Sequence, residues 1–369
     1  MKTVMTTCSL MALAMLPTTR IATAEGRPNV VVIMIDDLND YVGVLGGHPQ
    51  ARTPNIDRLA RSGVLFTRAY SNDPVCAPSR SSMFTGIYPH VSRNFSFANW
   101  DENPTLANSK TMMAYYRDAG YRVMGAGKVM HNRDKQEWDE VGVRTQYGPV
   151  NDNGSYGDKV PGHPSVPQPF RSIGPIDGSF APLSDVPIHP DGTRGWFFWE
   201  WNKKQKKMAP RPYRYVSEND RDPLPDEAVA DWFVKRIGEL AKERSGKPFF
   251  MGCGFIRPHT PLYAPKRFFD MYPVETVQLP TILPGDRSDT HFHDYLRPDS
   301  KGPRYFELLR QSYPSPEEGL RHYLQAYLAC VAFVDEQVGK VVNAVDRGPF
   351  KDNTIIVLSG DHGIPGVPR

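Results

Sequence analysis

Asn29-Val30-Val31-Val32-Ile33-Met34-Ile35 runs without interruption into Asp36-Asp37. An apolar stretch rich in Val and Ile, bounded by Arg27-Pro28 on one side and two acids on the other, is the pattern of a strand buried on both faces. Such strands belong to parallel sheets, and a parallel neighbour requires a crossover, usually a helix. The next residues supply one. Thr53-Pro54 gives an N-cap and a first-turn proline, Ile56, Leu59 and Ala60 give an apolar face, and Gly63 gives a stop.

The alternation continues along the chain. Lys110 to Asp118 reads as a helix ended by Gly120, Tyr121 to Gly125 as a short strand, and about Asp226 to Glu243 as a helix burying Val229, Phe233, Ile237 and Leu240. Phe249 to Phe255 is the next strand. Leu320 to Asp346 is the strongest helical pattern, and Thr354 to Leu358 reads as a last buried strand ending at Gly360-Asp361-His362. These elements predict an α/β fold with a mainly parallel central sheet and helices on both faces.

In such sheets ligands bind beyond the carboxyl ends of the strands. Asp36-Asp37, Lys128, His259 and Asp361-His362 all follow strands, so one cleft is expected to gather them. About Arg133 to Arg221 is a Pro/Gly/Asp-rich stretch with little periodicity, read as an insertion over that cleft. Its run Trp196-Phe197-Phe198-Trp199-Glu200-Trp201 has two readings, a stacking platform for sugar rings or a satellite core beneath a long loop.

Lys2, the mostly apolar Met11 to Leu16, and Ala22-Thr23-Ala24 mark residues 1–24 as a signal peptide, which predicts a soluble chain from Glu25 onward, exported to the periplasm or secreted. Cys8 precedes most of the apolar run, which does not fit a lipid attachment site. No later stretch is long enough to span a bilayer. With 44 basic and 41 acidic residues, and Lys2 and Arg20 leaving with the leader, no electrostatic case for nucleic acid arises. Four cysteines, one in the leader and one in the motif below, exclude a disulfide framework. Cys253 and Cys330 read as buried thiols, with a single bridge between them left open.

Two adjacent carboxylates at the mouth of a sheet repel unless something compensates them. A hard divalent cation does so, and oxygen ligands from Asp36, Asp37 and Asp361 suit calcium or magnesium. The absence of a Cys/His cluster in the sequence argues against a structural zinc site. Cys76-Ala77-Pro78-Ser79-Arg80 opens a helix that reads from Ser79 to Phe84 with Pro78 at its first turn. A helix N-terminus favours an anion, so a sulfate or phosphate ester fits against residue 76. Arg80 is expected to hold both the residue-76 side chain and that anion by bidentate hydrogen bonds.

The segment Ser71 to Gly86, with Pro78 and Arg80 in those places, resembles the signature of the formylglycine-dependent sulfatases. Asn29 to Asp37, Pro74 to Pro89, Gly127-Lys128-Val129-Met130-His131, Gly254 to Pro261 and Arg321 to Gly363 are similar to the iduronate-2-sulfatase-like branch, and the likeness covers essentially all of the mature chain. It implies the alkaline phosphatase-like sulfatase fold. It also implies a maturation enzyme that oxidises Cys76 to 3-oxoalanine, and one cation, calcium ahead of magnesium, held by Asp36, Asp37, residue 76, Asp361 and His362. Lys128, His131 and His259 then line the sulfate pocket.

By the same likeness a hydroxyl of the hydrated aldehyde attacks sulfur while the alcohol departs. The cation, Arg80, Lys128 and His259 offset the charge on the sulfuryl oxygens. His259 is the expected general acid, with His131 second for either proton role. The remaining hydroxyl is deprotonated, sulfate leaves and the aldehyde returns. The implied substrate is a sulfated saccharide.

Sulfatases of this kind continue past the point matching Arg369, with a lysine soon after the Asp-His pair and a smaller C-terminal subdomain. Two expectations follow, a fragment of a working enzyme, which is favoured, or a shortened protein that turns over poorly. The competing functions are a phosphate or phosphonate ester hydrolase on the same fold and a non-catalytic binder of sulfated glycans.

Overall fold

The computed structural model describes residues 26–131, 137–154, 160–202, 204–243, 246–281, 285, 288 and 300–363. The leader reading of residues 1–24 lies outside them. Five parallel strands form the central sheet: β1 (Asn29–Ile35), β2 (Arg122–Gly127), β3 (Glu140–Val141), β4 (Phe249–Phe255) and β5 (Thr354–Gly360), in the spatial order β5-β1-β4-β2-β3. The first strand of the chain is therefore interior. Val30 stands opposite Ile355 on one side and Phe250 on the other.

The pleat of β1 divides its side chains between two cores. Val31, Ile33 and Ile35 share a core with α4 (Pro225–Leu240), α5 (Lys301–Ser312) and α6 (Pro316–Asp346). Val30, Val32 and Met34 pack with Phe84 of α2 (Cys76–Thr85), Met113 of α3 (Met112–Asp118) and Trp100. Helices cover both faces, and the unbroken apolar run has its physical reason. At β5 the expectation of a buried strand is corrected: among the described residues it pairs with β1 alone, and Ile355 and Val357 are 51% and 45% exposed. An edge position is set by the strand order, which an apolar run does not encode.

The cap of α1 (Pro54–Arg61) is also corrected. Thr53 makes no capping bond to the helix; its hydroxyl accepts from Gly43 N–H and donates to Asp57. Buried Asp335 of α6 accepts the free amides of Asn55 and Ile56 at 2.8–3.2 Å. A tertiary carboxylate thus does what a local cap was expected to do.

Within the stretch read as an insertion, Trp196–Asn202 pairs antiparallel with Lys207–Tyr213, and Phe180–Pro182 pairs parallel with Leu262–Ala264. Trp196, Phe197 and Phe198 are buried. Trp196 donates to Leu183 O at 3.0 Å and stacks on His163, so the start of the aromatic run is core and not a sugar platform. Cys76, Cys253 and Cys330 are buried free thiols. No helix among the described residues is long and apolar enough to cross a membrane.

Candidate active site

The carboxyl ends of four strands converge. Asp36-Asp37 follows β1, Lys128 follows β2, Arg257-Pro258-His259 follows β4, and Asp361-His362 follows β5. Close backbone approach sets Lys128: its N–H donates to Gly254 O at 3.0 Å, where a Cβ on Gly254 would meet Lys128 carbonyl carbon at 2.1 Å. Asp37 holds a left-handed backbone, φ 60°, rare for a residue with a side chain. Asp361 Oδ1 accepts its N–H at 3.1 Å, and the Tyr327 hydroxyl donates to its carbonyl at 2.8 Å.

Cys76 is the first residue of α2, three positions before the Ser79 start read from the sequence. Its Sγ lies 3.2 Å from His362 Nε2. One ligand atom each from Asp36, Asp37, Cys76 and His362 lie within 4.8 Å of one another. Cys76 and His362, which the resemblance put in one ligand set, thus meet although they are far apart in sequence. His362 Nδ1–H donates to Gly363 O at 2.8 Å, which leaves the Nε2 lone pair facing the cluster.

The donor set fits a divalent cation: two carboxylates and an imidazole converge, with residue 76 completing them. The fifth predicted ligand, Asp361, is engaged otherwise. Its Oδ2 takes the Arg80 Nε–H at 2.9 Å, and its Oδ1 takes the amides of Asp37 and His362. Its position beside His362, with Oδ2 3.5 Å from Nε2, keeps it next to the cluster.

Arg80 is fully buried and spans the site. Nη2 donates to Asp36 Oδ1 at 2.9 Å, Nε to Asp361, and Nη1 to the carbonyls of Lys128 and Val129. The guanidinium is thus committed to protein acceptors, and in this arrangement it positions two carboxylates where a bidentate grip on an anion was expected. Lys128, also buried, pairs with Asp36 Oδ2.

Electrostatics separate the two adjacent acids. Burial alone would raise the Asp36 carboxyl, but Arg80, Lys128 and His259 together hold it well below the usual range. Burial, with Asp36 and Asp361 nearby, pushes Asp37 up to about 6 against the pull of His259 and His362. Burial and the three carboxylates push the Cys76 thiol far up, so it is no thiolate nucleophile as it stands.

His259 Nδ1–H donates to Thr260 O at 2.6 Å, so Nε2 is the atom that faces the cluster, 3.9 Å from Asp37 Oδ2. His131 lies at the rim against Phe97, ring centres 5.4 Å apart, and its buried Nδ1 has no partner among the described residues. Burial, then Lys128 and Arg80, lowers it to about 4, so it is neutral at working pH.

Three residues near the site escaped sequence reasoning. Buried Asp226 in the first turn of α4 accepts the amides of Ile256 and Arg257 at 2.7 and 2.9 Å, fixing the turn that presents His259. Asp177, from the insertion, accepts from Thr260 Oγ1 at 2.7 Å. Tyr147 stands with its ring centre 5.0 Å from both Lys128 Nζ and the His259 ring. The long loop reading was the only available signal for the last two; Asp226 looked like an ordinary first-turn acid.

Comparison with known proteins agrees with this architecture. The family model described as Sulfatase matches residues 28–368. A sulfatase of Formosa agariphila is 31% identical over 91% of this chain and 59% of its own length. The human iduronate 2-sulfatase is 27% identical over 91% of this chain and 54% of its own. The chain thus spans little more than half the length of these relatives. Among solved structures, a phosphonate monoester hydrolase of Silicibacter pomeroyi superposes with a TM-score of 0.60 at 21% identity, covering 91% of this chain and 63% of that one. That likeness carries the fold alone, while the family model and the Formosa relative carry more: the chain belongs to the sulfatase family.

Proposed function

We propose that the chain carries the active site of an exported, calcium-dependent hydrolase of sulfate esters on a sulfated saccharide, with Cys76 matured to 3-oxoalanine by a dedicated enzyme. The observation that carries this reading is the placement of Cys76. A buried cysteine with a suppressed thiolate, at a helix start among Asp36, Asp37 and His362, is poorly made for thiol chemistry and well placed for an oxygen nucleophile on a metal. The relatives named iduronate 2-sulfatase support a saccharide substrate.

When oxidised and hydrated, residue 76 would supply the hydroxyl that attacks sulfur, and Asp36, Asp37 and His362, with Asp361 beside them, would hold a cation able to draw off negative charge. The other parts belong to the chain itself. Lys128 turns from Asp36 toward a sulfuryl oxygen. His259, with Nδ1–H fixed on Thr260, delivers a proton from Nε2 to the departing oxygen. His131, the second candidate for either proton role, is neutral and so suits accepting the proton of the remaining hydroxyl rather than delivering one. Arg80 holds Asp36 and Asp361 in place. Residues 133–221 act as an insertion that walls the cleft through Tyr147 and Asp177.

The test is direct. Produced in a host with the maturation enzyme, the peptide bearing Cys76 loses sulfur and two hydrogens and gains oxygen by mass spectrometry. The chain then turns over an aryl sulfate, and Cys76→Ala does not. An unmodified cysteine in that host, or a preference for an aryl phosphate diester over the sulfate, overturns the reading.

A further inference from the structure

Tyr147 is placed for more than walling the cleft. Its ring lies edge-on to His259 at 61°, and the Lys128 ammonium is equally near. Its backbone is pinned from the opposite side, because Arg257 donates to the carbonyls of Tyr147 and Gly148 at 3.3 and 3.5 Å. Three residues on, Val150 exchanges backbone hydrogen bonds with Phe197 of the insertion. The loop carrying Tyr147 and the turn carrying His259 are thus fastened together by Arg257, and the ring is held in the wall of the cleft.

Burial pushes the phenol up to about 12 while Lys128 pulls the other way, so the hydroxyl keeps its proton and donates at neutral pH. Lys128 is already shared with Asp36, and a sulfate ester spreads its charge over three oxygens, so a further neutral donor has a purpose here. We propose that Tyr147 is a donor of the anion pocket, its phenol O–H contacting an oxygen of the bound sulfuryl group beside Lys128 and His259. This deepens, and rests on, the sulfatase reading of the same cleft. The proton stays on tyrosine throughout; no bond to it is made or broken.

Tyr147→Phe removes one oxygen and keeps the ring against Lys128 and His259. Calorimetry measures calcium binding to the calcium-free full chain and inorganic sulfate binding to the calcium-loaded one, and an aryl sulfate gives kcat and KM. The variant is expected to bind sulfate about tenfold more weakly and to lose at least as much in kcat/KM, with calcium affinity unchanged. A wild-type chain that binds sulfate, matched by an equally tight variant, overturns the role of Tyr147 alone. Calcium affinity falling in step with sulfate affinity marks a structural tyrosine and also overturns it. A wild-type chain that binds no sulfate overturns the sulfatase reading, and the role of Tyr147 with it.

Discussion

The hydroxyl of Tyr327, midway along α6, donates to the carbonyl of Asp37 at 2.8 Å and accepts the Asn39 amide at 3.1 Å. The longest helix thereby braces the left-handed residue of the acidic pair. Tyr327→Phe leaves a carbonyl and an amide unpaired and is expected to cost about 1–3 kcal/mol. The Asp37 carboxylate should also lose its aim, so the stabilisation conferred by calcium shrinks. Urea denaturation with and without calcium checks this; an unchanged calcium increment would show that the brace has no say in metal binding.

Removing Arg80 exposes how much it compensates. Asp36 and Asp361 are completely buried, and Arg80→Met leaves them without their shared cation, a loss of about 3–5 kcal/mol. Arg80→Lys should recover little, since one ammonium cannot serve two carboxylates and two carbonyls in a plane. Chemical denaturation of both variants measures the effect. Near-wild-type stability of Arg80→Lys would mean that charge alone matters.

Asp226 makes a pH prediction. Burial raises its carboxyl to about 6, against the pull of Arg257 and two backbone amides. The folded-state value lies above the unfolded one, so the folded chain binds more protons in between, and stability falls as pH rises from about 4 to about 6. This group should contribute a loss of about 3 kcal/mol across that window. In Asp226→Asn the contribution is absent, so the stability difference between wild type and variant should narrow or reverse over the same range. Parallel stability curves from pH 4 to 7 would refute it.

The oxidation state of residue 76 should choose the metal. With a thiol, the cluster offers sulfur, imidazole nitrogen and two carboxylates, a set that suits zinc. With an aldehyde hydrate the sulfur is replaced by oxygen, and calcium becomes the better match. Unmatured chain is expected to take up zinc ahead of calcium, and cobalt in its place should show a sulfur-to-cobalt absorption band. Matured chain should reverse the ranking. The same order of affinity in both forms would sink the idea.

The strand ends were readable because β1 and β4 are unbroken apolar runs halted by charge, so the residues after them had to lie at the sheet's mouth. Other features depend on partners distant in sequence. Asp335 caps α1 from α6, and Cys76 finds His362 only because β1 and β5 are neighbours. Arg80 has the right identity for an anion ligand, yet the carboxylates reach it first. Tyr147 and Asp177 lie in a stretch without periodicity, where no pattern points to a contact.

The interior place of β1 has a consequence for how the molecule comes into being. Its two neighbours are β4 and β5, and β5 lies at the far end of the described chain. A long loop must close before either flank is satisfied, which is slow compared with local helix formation. Until β5 docks, Asp36 lacks the full bridge through Arg80 to Asp361, and residue 76 lacks His362. Metal uptake by this cluster should therefore report that β5 has docked on β1, since Arg80 and residue 76 reach their last partners only then.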